Sequence, residues 1–129
     1  MKKRLPWNWR NNIETVKDLD NFDENLITFQ LQFMNDKTPK GFYKTIGFLT
    51  IEVPPTSGNF PLVMESYIHE PMRNRGLGKL LYITALDNFK SLSTKYHDHS
   101  DCARNVWLSL MKEFKYTTDF LSGILTIHE

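Results

Sequence analysis

At 129 residues, with 40% hydrophobic and 13% aromatic content, the chain has the composition of a folded protein with room for one core rather than two. A formal net charge of +1 excludes an overall electrostatic footprint for nucleic acid, and no run approaches the roughly 18–20 apolar residues of a membrane span. One cysteine, Cys102, excludes an intrachain disulfide, and the basic start is followed by no apolar stretch of a secretory signal, so the expected location is the cytoplasm.

The chain opens on Lys2, Lys3, Arg4 and Arg10 interleaved with Trp7 and Trp9. These tryptophans are expected to tuck against the core; a small patch for a nucleic acid or protein partner is the alternative. Asn11 to Phe22 carries Ile13, Val16, Leu19 and Asp20 at near-helical spacing and predicts a short helix. Leu26 to Phe33 alternates from Ile27 onward and predicts a strand. Asn35 to Gly41 is a turn, with Asp36, Pro39 and Gly41. Tyr43 to Val53 predicts a second strand, ended by Pro54-Pro55-Thr56-Ser57-Gly58-Asn59, and Phe60 to Ile68 a third. Connections this short favour an antiparallel meander.

Arg73-Asn74-Arg75-Gly76-Leu77-Gly78 then turns the chain from strand to helix. Leu77, Leu80, Leu81, Thr84, Ala85 and Phe89 recur at helical spacing and predict a helix from about Gly76 to Leu92. Glycines allow positive φ and close backbone approach. First-turn helix amides are unpaired, and the helix dipole adds positive potential there, so such a turn suits phosphates. A dinucleotide fingerprint would place a glycine where Leu81 stands, and a P-loop would want Ser or Thr where Leu80 follows Lys79. A plain glycine turn capping a surface helix is the bland alternative. The polar stretch Ser93 to His99 follows, with no distinct strand in it. Ser100 is placed to cap a second long helix, whose apolar face is Ala103, Val106, Trp107, Leu110, Met111 and Phe114. Tyr116 to Ile127 reads as one or two strands around Ser122-Gly123. An antiparallel sheet with helices packed on it is an α+β layered domain. No metal is expected: His97-Asp98-His99 has only a lone His128 to join it and reads as a polar loop. Cys102 has no histidine at a useful spacing and reads as a buried small residue.

Arg73, Gly76 and Gly78 fill the three fixed positions of [Gln/Arg]-x-x-Gly-x-[Gly/Ala], and the stretch resembles the acyl-CoA-binding signature of the GNAT acetyltransferases. A second match follows. Ser100-Asp101-Cys102-Ala103-Arg104-Asn105-Val106-Trp107 has the spacing of the family's Asn-x-x-Ala-x-x-[Leu/Ile]-Tyr, with Ser for Asn and Trp for Tyr. The variant ending Val-Trp-x-x-Leu looks like a subgroup of acetyltransferases common among bacteriophage proteins. The resemblance covers about Leu26 to the C-terminus. It implies a GNAT-like acyl-CoA N-acyltransferase fold with a mixed, mostly antiparallel sheet, one domain over 1–129 with its core in 26–129 and a short N-terminal segment, 1–25. It also implies acetyl-CoA as cosubstrate, held by Arg73, Asn74, Arg75, Gly76, Leu77, Gly78 and Lys79. Tyr67 or Ile68 would offer a backbone amide to the thioester carbonyl, and Ser100, Ala103 and Trp107 would line the cofactor from the second helix. The acetyl group would pass directly to an amine, on a small molecule or a protein, in a monomer or homodimer with no membrane or nucleic-acid partner.

Glu65 and Ser66 are the candidate catalytic side chains. Side chains alternate along a strand, and family bases on this strand share the parity of Met64 and Ser66. Glu65 is therefore expected to point away unless a bulge shifts the register, and a water chain could relay the proton instead. The family's tyrosine acid is replaced by Trp107, whose indole donates hydrogen bonds but has no proton to give near pH 7. Trp107 is expected in the core, and Tyr96 and Tyr116 are the phenols nearest in sequence. A catalytically inactive protein of this fold, acting as a binding or inhibitory module, is the alternative.

Overall fold

The computed structural model describes residues 5, 7–19, 25–53, 60–95, 101–119 and 121–129. A 3-10 turn, Trp9–Asn12, leads into β1 (Ile13–Leu19), β2 (Leu26–Phe33), β3 (Thr45–Glu52) and β4 (Leu62–Ile68). A second 3-10 turn, Glu70–Met72, precedes α1 (Leu77–Phe89), β5 (Ser91–Lys95), α2 (Asp101–Glu113), β6 (Lys115–Asp119) and β7 (Ile124–His128). The strands form one seven-stranded sheet in the order β1-β2-β3-β4-β5-β7-β6. Every neighbouring pair is antiparallel except β4 and β5. The expected meander of β2, β3 and β4 is present. Ser100, Tyr96, the His97–His99 loop, the Lys2–Arg4 start and the Pro54–Asn59 turn lie outside the described residues, as does the side chain of Cys102.

Two expected elements are corrected. The segment expected as a helix from Asn11 to Phe22 is a 3-10 turn followed by a strand, in the part that is described. Ile13, Thr15, Lys17 and Leu19 pair with Phe33, Leu31, Phe29 and Ile27, so the working period is two. Lys17 lays its ammonium over the Phe89 ring at 5.6 Å, covering the core with a charged residue. Val16 points to the other face and is 36% exposed, and its spacing from Ile13 imitated a helix. The second correction concerns the polar stretch after α1. The helix stops at Phe89, because Lys90 takes a left-handed conformation, φ 67°, and its N–H bonds the Leu86 carbonyl at 2.7 Å. Ser91–Lys95 is then a strand between β4 and β7. Its hydroxyls are satisfied across the ladder: Ser93 Oγ lies 2.7 Å from Thr126 Oγ1, and Ser91 Oγ lies 3.0 Å from His128 Nδ1.

β5 and β6 are both antiparallel to β7, hence parallel to each other. The β4–α1–β5 and β5–α2–β6 connections advance in the same direction, and right-handed crossovers place both helices on one face. The two helices meet there, with the Tyr82 and Trp107 rings 5.3 Å apart at 73°. The core fills this face: Phe29, Leu31 and Phe33 of β2, Leu49 and Ile51 of β3, Leu81, Ala85 and Leu86 of α1, and Trp107 and Leu110 of α2 are all buried. The expected face of α1 is turned slightly, since Tyr82 and Leu86 are inside and Leu80 is 39% exposed. Among the described residues no helix covers the opposite face, where Glu65 and Tyr67 stand exposed.

Gly47 on β3 faces the end of β4. A β-carbon there would collide with the Tyr67 carbonyl oxygen and would sit 2.7 Å from Ile68 Cδ1. Because the first obstacle is backbone, Gly47→Ala is expected to destabilise by about 1–3 kcal/mol, the range for overpacking. Chemical denaturation of the two proteins measures it.

Candidate functional site

The site grows from the end of β4. Met72 in the 3-10 turn is buried and anchors the chain beneath the loop. Arg73 folds back, its Nε donating to the Ile68 carbonyl at 2.8 Å, while its guanidinium lies 5.6 Å from the Tyr67 ring centre. Asn74 (φ 64°) and Gly76 (φ 78°) are both left-handed and flank Arg75. Such an alternation turns successive backbone N–H groups to one side, the geometry of an anion-binding nest. Gly76 is also the N-cap of α1 and makes no side-chain cap, and the first turn of α1 holds no acidic residue. The positive end of the helix therefore opens on the nest. Lys79 in that first turn is drawn to the far helix, its Nζ 2.6 Å from Glu113 Oε1.

β4 and β5 are registered only at Leu62↔Ser93 and diverge beyond it. A cavity of about 520 Å³ lies at the loop, reaching Ser66, Tyr67 and Ile68 of β4 and Ala103, Asn105, Val106 and Ser109 of α2. Of the residues expected at a cofactor site, Tyr67, Ile68, Arg73, Asn74, Gly76, Leu77, Gly78, Lys79 and Ala103 line it together. Arg75 and Trp107 do not. Arg75 turns away toward the Trp9 ring, 5.7 Å from guanidinium carbon to ring centre. Trp107 is fully buried behind Tyr82. A β-carbon on Gly78 would meet Val106 Cγ2 at 3.6 Å and Ile68 Cγ1 at 3.8 Å, ordinary contacts, so the protein itself leaves room there.

The two candidate catalytic side chains separate. The β3–β4 register slips between Thr50 and Ile51, pairing Glu65 with Thr50 but Val63 with Ile51, so Met64 is the extra residue of a bulge. The bulge lies before Glu65 and leaves it on the face opposite Ser66. Ser66 lines the cavity and Glu65 does not. The Asp, Glu and His side chains of the described residues are all absent from its lining. Among the described residues no cluster of His, Cys, Asp and Glu could hold a metal ion.

Tyr82 is the functional candidate that the sequence hid. Its hydroxyl donates to Ser66 Oγ at 3.1 Å, at the wall of the cavity. Burial lifts the phenol above its usual pKa, and hydrogen bonds with Ser66 and Trp107 oppose part of that rise. Its sequence context is an apolar helix stripe, in which an aromatic reads as core. The useful signal was its position one turn after Gly78, which brings it beside the loop.

No protein-family model matches the sequence, and no curated protein does either. Solved structures do. A candidate N-acetyl transferase of E. coli, YhhK, bound to coenzyme A, matches with a TM-score of 0.53 at 18% identity, over 83% of this chain and 74% of that one. An acetyltransferase of Thermus thermophilus gives 0.52 at 20% identity, over 83% and 65%. The ribosomal-protein-S18-alanine N-acetyltransferase of Escherichia coli gives 0.51 at 17% identity, over 81% and 67%. The chain thus spans only part of each. At these identities the likeness is one of architecture: the chain has the α+β fold of the GNAT acyl-CoA N-acyltransferases.

Trp107 is fully buried and packs edge-on against Tyr82 behind the cavity. Trp107→Ala is expected to cost about 3–5 kcal/mol, as large aromatic truncations in cores do. The midpoint of urea unfolding checks it.

Proposed function

We propose that the protein is an N-acetyltransferase that binds acetyl-CoA at Arg73–Lys79 and passes the acetyl group directly to an amine. The observation that carries this reading is the left-handed nest at Asn74 and Gly76, opening with the α1 N-terminus into a cavity beside the divergent β4 and β5. The nest fits a pyrophosphate: backbone donors converge, no carboxylate opposes them, and Gly76 has no atom within 4 Å of where a β-carbon would stand. When bound, acetyl-CoA supplies an acyl group activated as a thioester.

The residues of the chain have three tasks. Tyr67 and Ile68 line the cavity, and a backbone N–H of one of them would stabilise negative charge growing on the acyl oxygen. Loss of the amine proton has no lining carboxylate to receive it, so water in the open cavity carries it out, with Ser66 orienting that water. As the carbon–nitrogen bond forms and the carbon–sulfur bond breaks, the Tyr82 phenol is placed to give its proton to the departing sulfur. A phenol is protonated at neutral pH; burial raises its pKa and makes it a weaker acid, while the Ser66 and Trp107 hydrogen bonds act the other way. Trp107 then serves as packing behind Tyr82.

The finer parts of the reading rest on the motifs. The Val106-Trp107-x-x-Leu110 variant supports a bacteriophage-like subgroup, and the lone Cys102 supports a reducing, cytoplasmic setting for one acetyltransferase unit. No described helix is long and apolar enough to cross a membrane. A binding module of the same fold is the second reading, favoured by one observation: no carboxylate of the described residues lines the cavity. Release of free thiol on presentation of an amine panel separates the two.

Acetyl-CoA is expected to raise the melting temperature, since a ligand that binds only the folded state stabilises it by mass action. Gly78→Leu should abolish that shift while leaving the free protein folded, because the added atoms enter the cavity. An unmodified protein whose melting point ignores millimolar acetyl-CoA would remove the basis of the reading.

The proton roles divide the next pair of variants. Tyr82→Phe is expected to lower kcat by about 10²-fold, the low end for acid-base catalysis, with acetyl-CoA affinity kept. Glu65→Gln, on the far face, should cost less than about tenfold. Steady-state kinetics with a competent amine measure both, and a reversed order would move the chemistry to the other face of β4.

A further inference from the structure

We infer that the N-terminal turn Trp9–Asn12 braces the phosphate loop, with Trp9 and Arg10 as positioning residues that set the direction of its amides. The ligand side of this inference rests on the acyl-CoA reading of the loop.

Arg10 Nη2 donates to the Arg75 carbonyl at 2.8 Å, across 65 residues of sequence. That carbonyl belongs to the peptide linking Arg75 to Gly76. A trans peptide is planar, with its C=O and N–H pointing in opposite directions. Holding the carbonyl toward Arg10 therefore holds the Gly76 N–H the other way, toward the side on which Gly76 lines the cavity. The constraint acts at the least settled point of the loop, between two left-handed residues of which Asn74 has a side chain.

The Arg75 side chain completes the brace. Its neighbours Asn74 and Gly76 line the cavity, while Arg75 turns back, its Nη2 3.4 Å from the Pro71 carbonyl. The Trp9 indole then lies against two guanidinium groups, Arg10 at 4.5 Å and Arg75 at 5.7 Å from the ring centre. Guanidinium stacks on an aromatic face without giving up its in-plane donors, so Arg10 keeps its bond to the carbonyl. The turn itself is fixed to the sheet: Trp9 packs on the core, Asn11 N–H bonds the Asn8 carbonyl at 3.0 Å, and Met34 N–H bonds the Asn12 carbonyl at 2.8 Å. The sheet edge thereby reaches the loop through two side chains.

Arg10→Ala tests this in two arms. In the free protein, hydrogen exchange at the amides of Asn74 to Gly78 should quicken at least tenfold, while the core strands and the melting temperature hold. With ligand, the dissociation constant for acetyl-CoA should rise about tenfold, the loss of one charge-assisted hydrogen bond. The dissociation constant for S-acetylpantetheine, which lacks the pyrophosphate, should not change, and Arg10→Lys should recover part of the loss for acetyl-CoA. Unchanged loop exchange in Arg10→Ala, or equal weakening of both thioesters, overturns the brace. Quickened exchange in a protein that binds no acetyl-CoA at all keeps the brace and overturns the acyl-CoA reading instead.

Discussion

Everything at the candidate site depends on β4 and β5 being parallel neighbours that pair at a single register, Leu62 with Ser93, and then part. A parallel pair cannot be joined by a tight turn; it needs a crossover, and here the crossover is α1. The requirement brings a helix N-terminus to the open end of the gap between the strands. The bulge at Met64 belongs to the same event, since an extra residue turns β4 away while β3 continues to pair with it.

The second consequence of the crossover rule is a sheet with two unlike faces. Both helices lie on one side and bury the aliphatic residues of β2 and β3. Along β3 and β4 neighbouring residues therefore face opposite ways, with Gly47, Leu49, Ser66 and Ile68 toward the helices and Thr50 and Glu65 away from them. Ser66 lines the cavity and Glu65 does not. Glu65 and Ser66 are adjacent in sequence and on opposite sides of the sheet.

The strand-to-helix turn at Arg73–Gly78 was legible because its physics is local: glycines at set intervals after a strand and before an apolar helical repeat leave few alternatives. The strands β2, β3 and β4 were legible from alternation between turn residues. β1 was misread because Ile13 and Val16 face opposite sides of the sheet, yet their spacing fits a helix equally well. β5 was invisible for a different reason. Ser91, Ser93 and Thr94 have no apolar pattern, and what makes them a strand is the backbone ladder with Ile124–His128, far away in the chain, across which Ser91 and Ser93 also bond His128 and Thr126. Lys90 concealed the boundary, since a lysine in the left-handed region lacks the glycine that usually marks a helix end. Tyr82 stayed hidden because its importance comes from Ser66 and Trp107, which only the folded chain brings to it.

The strand order leaves β1 and β6 at the two margins of the sheet. A margin strand presents unpaired backbone groups, and a second molecule could add to it and begin an aggregate. Both margins are written against that outcome. β1 carries Glu14, Lys17 and Asp18, and every residue of β6 is exposed, with Lys115 at its start and Asp119 at its end. Asp119 also ties the following turn to itself, accepting the Leu121 and Ser122 amides on Oδ1, so the strand stops after a short run. Charge along one margin and brevity along the other oppose the recruitment of further copies edge to edge.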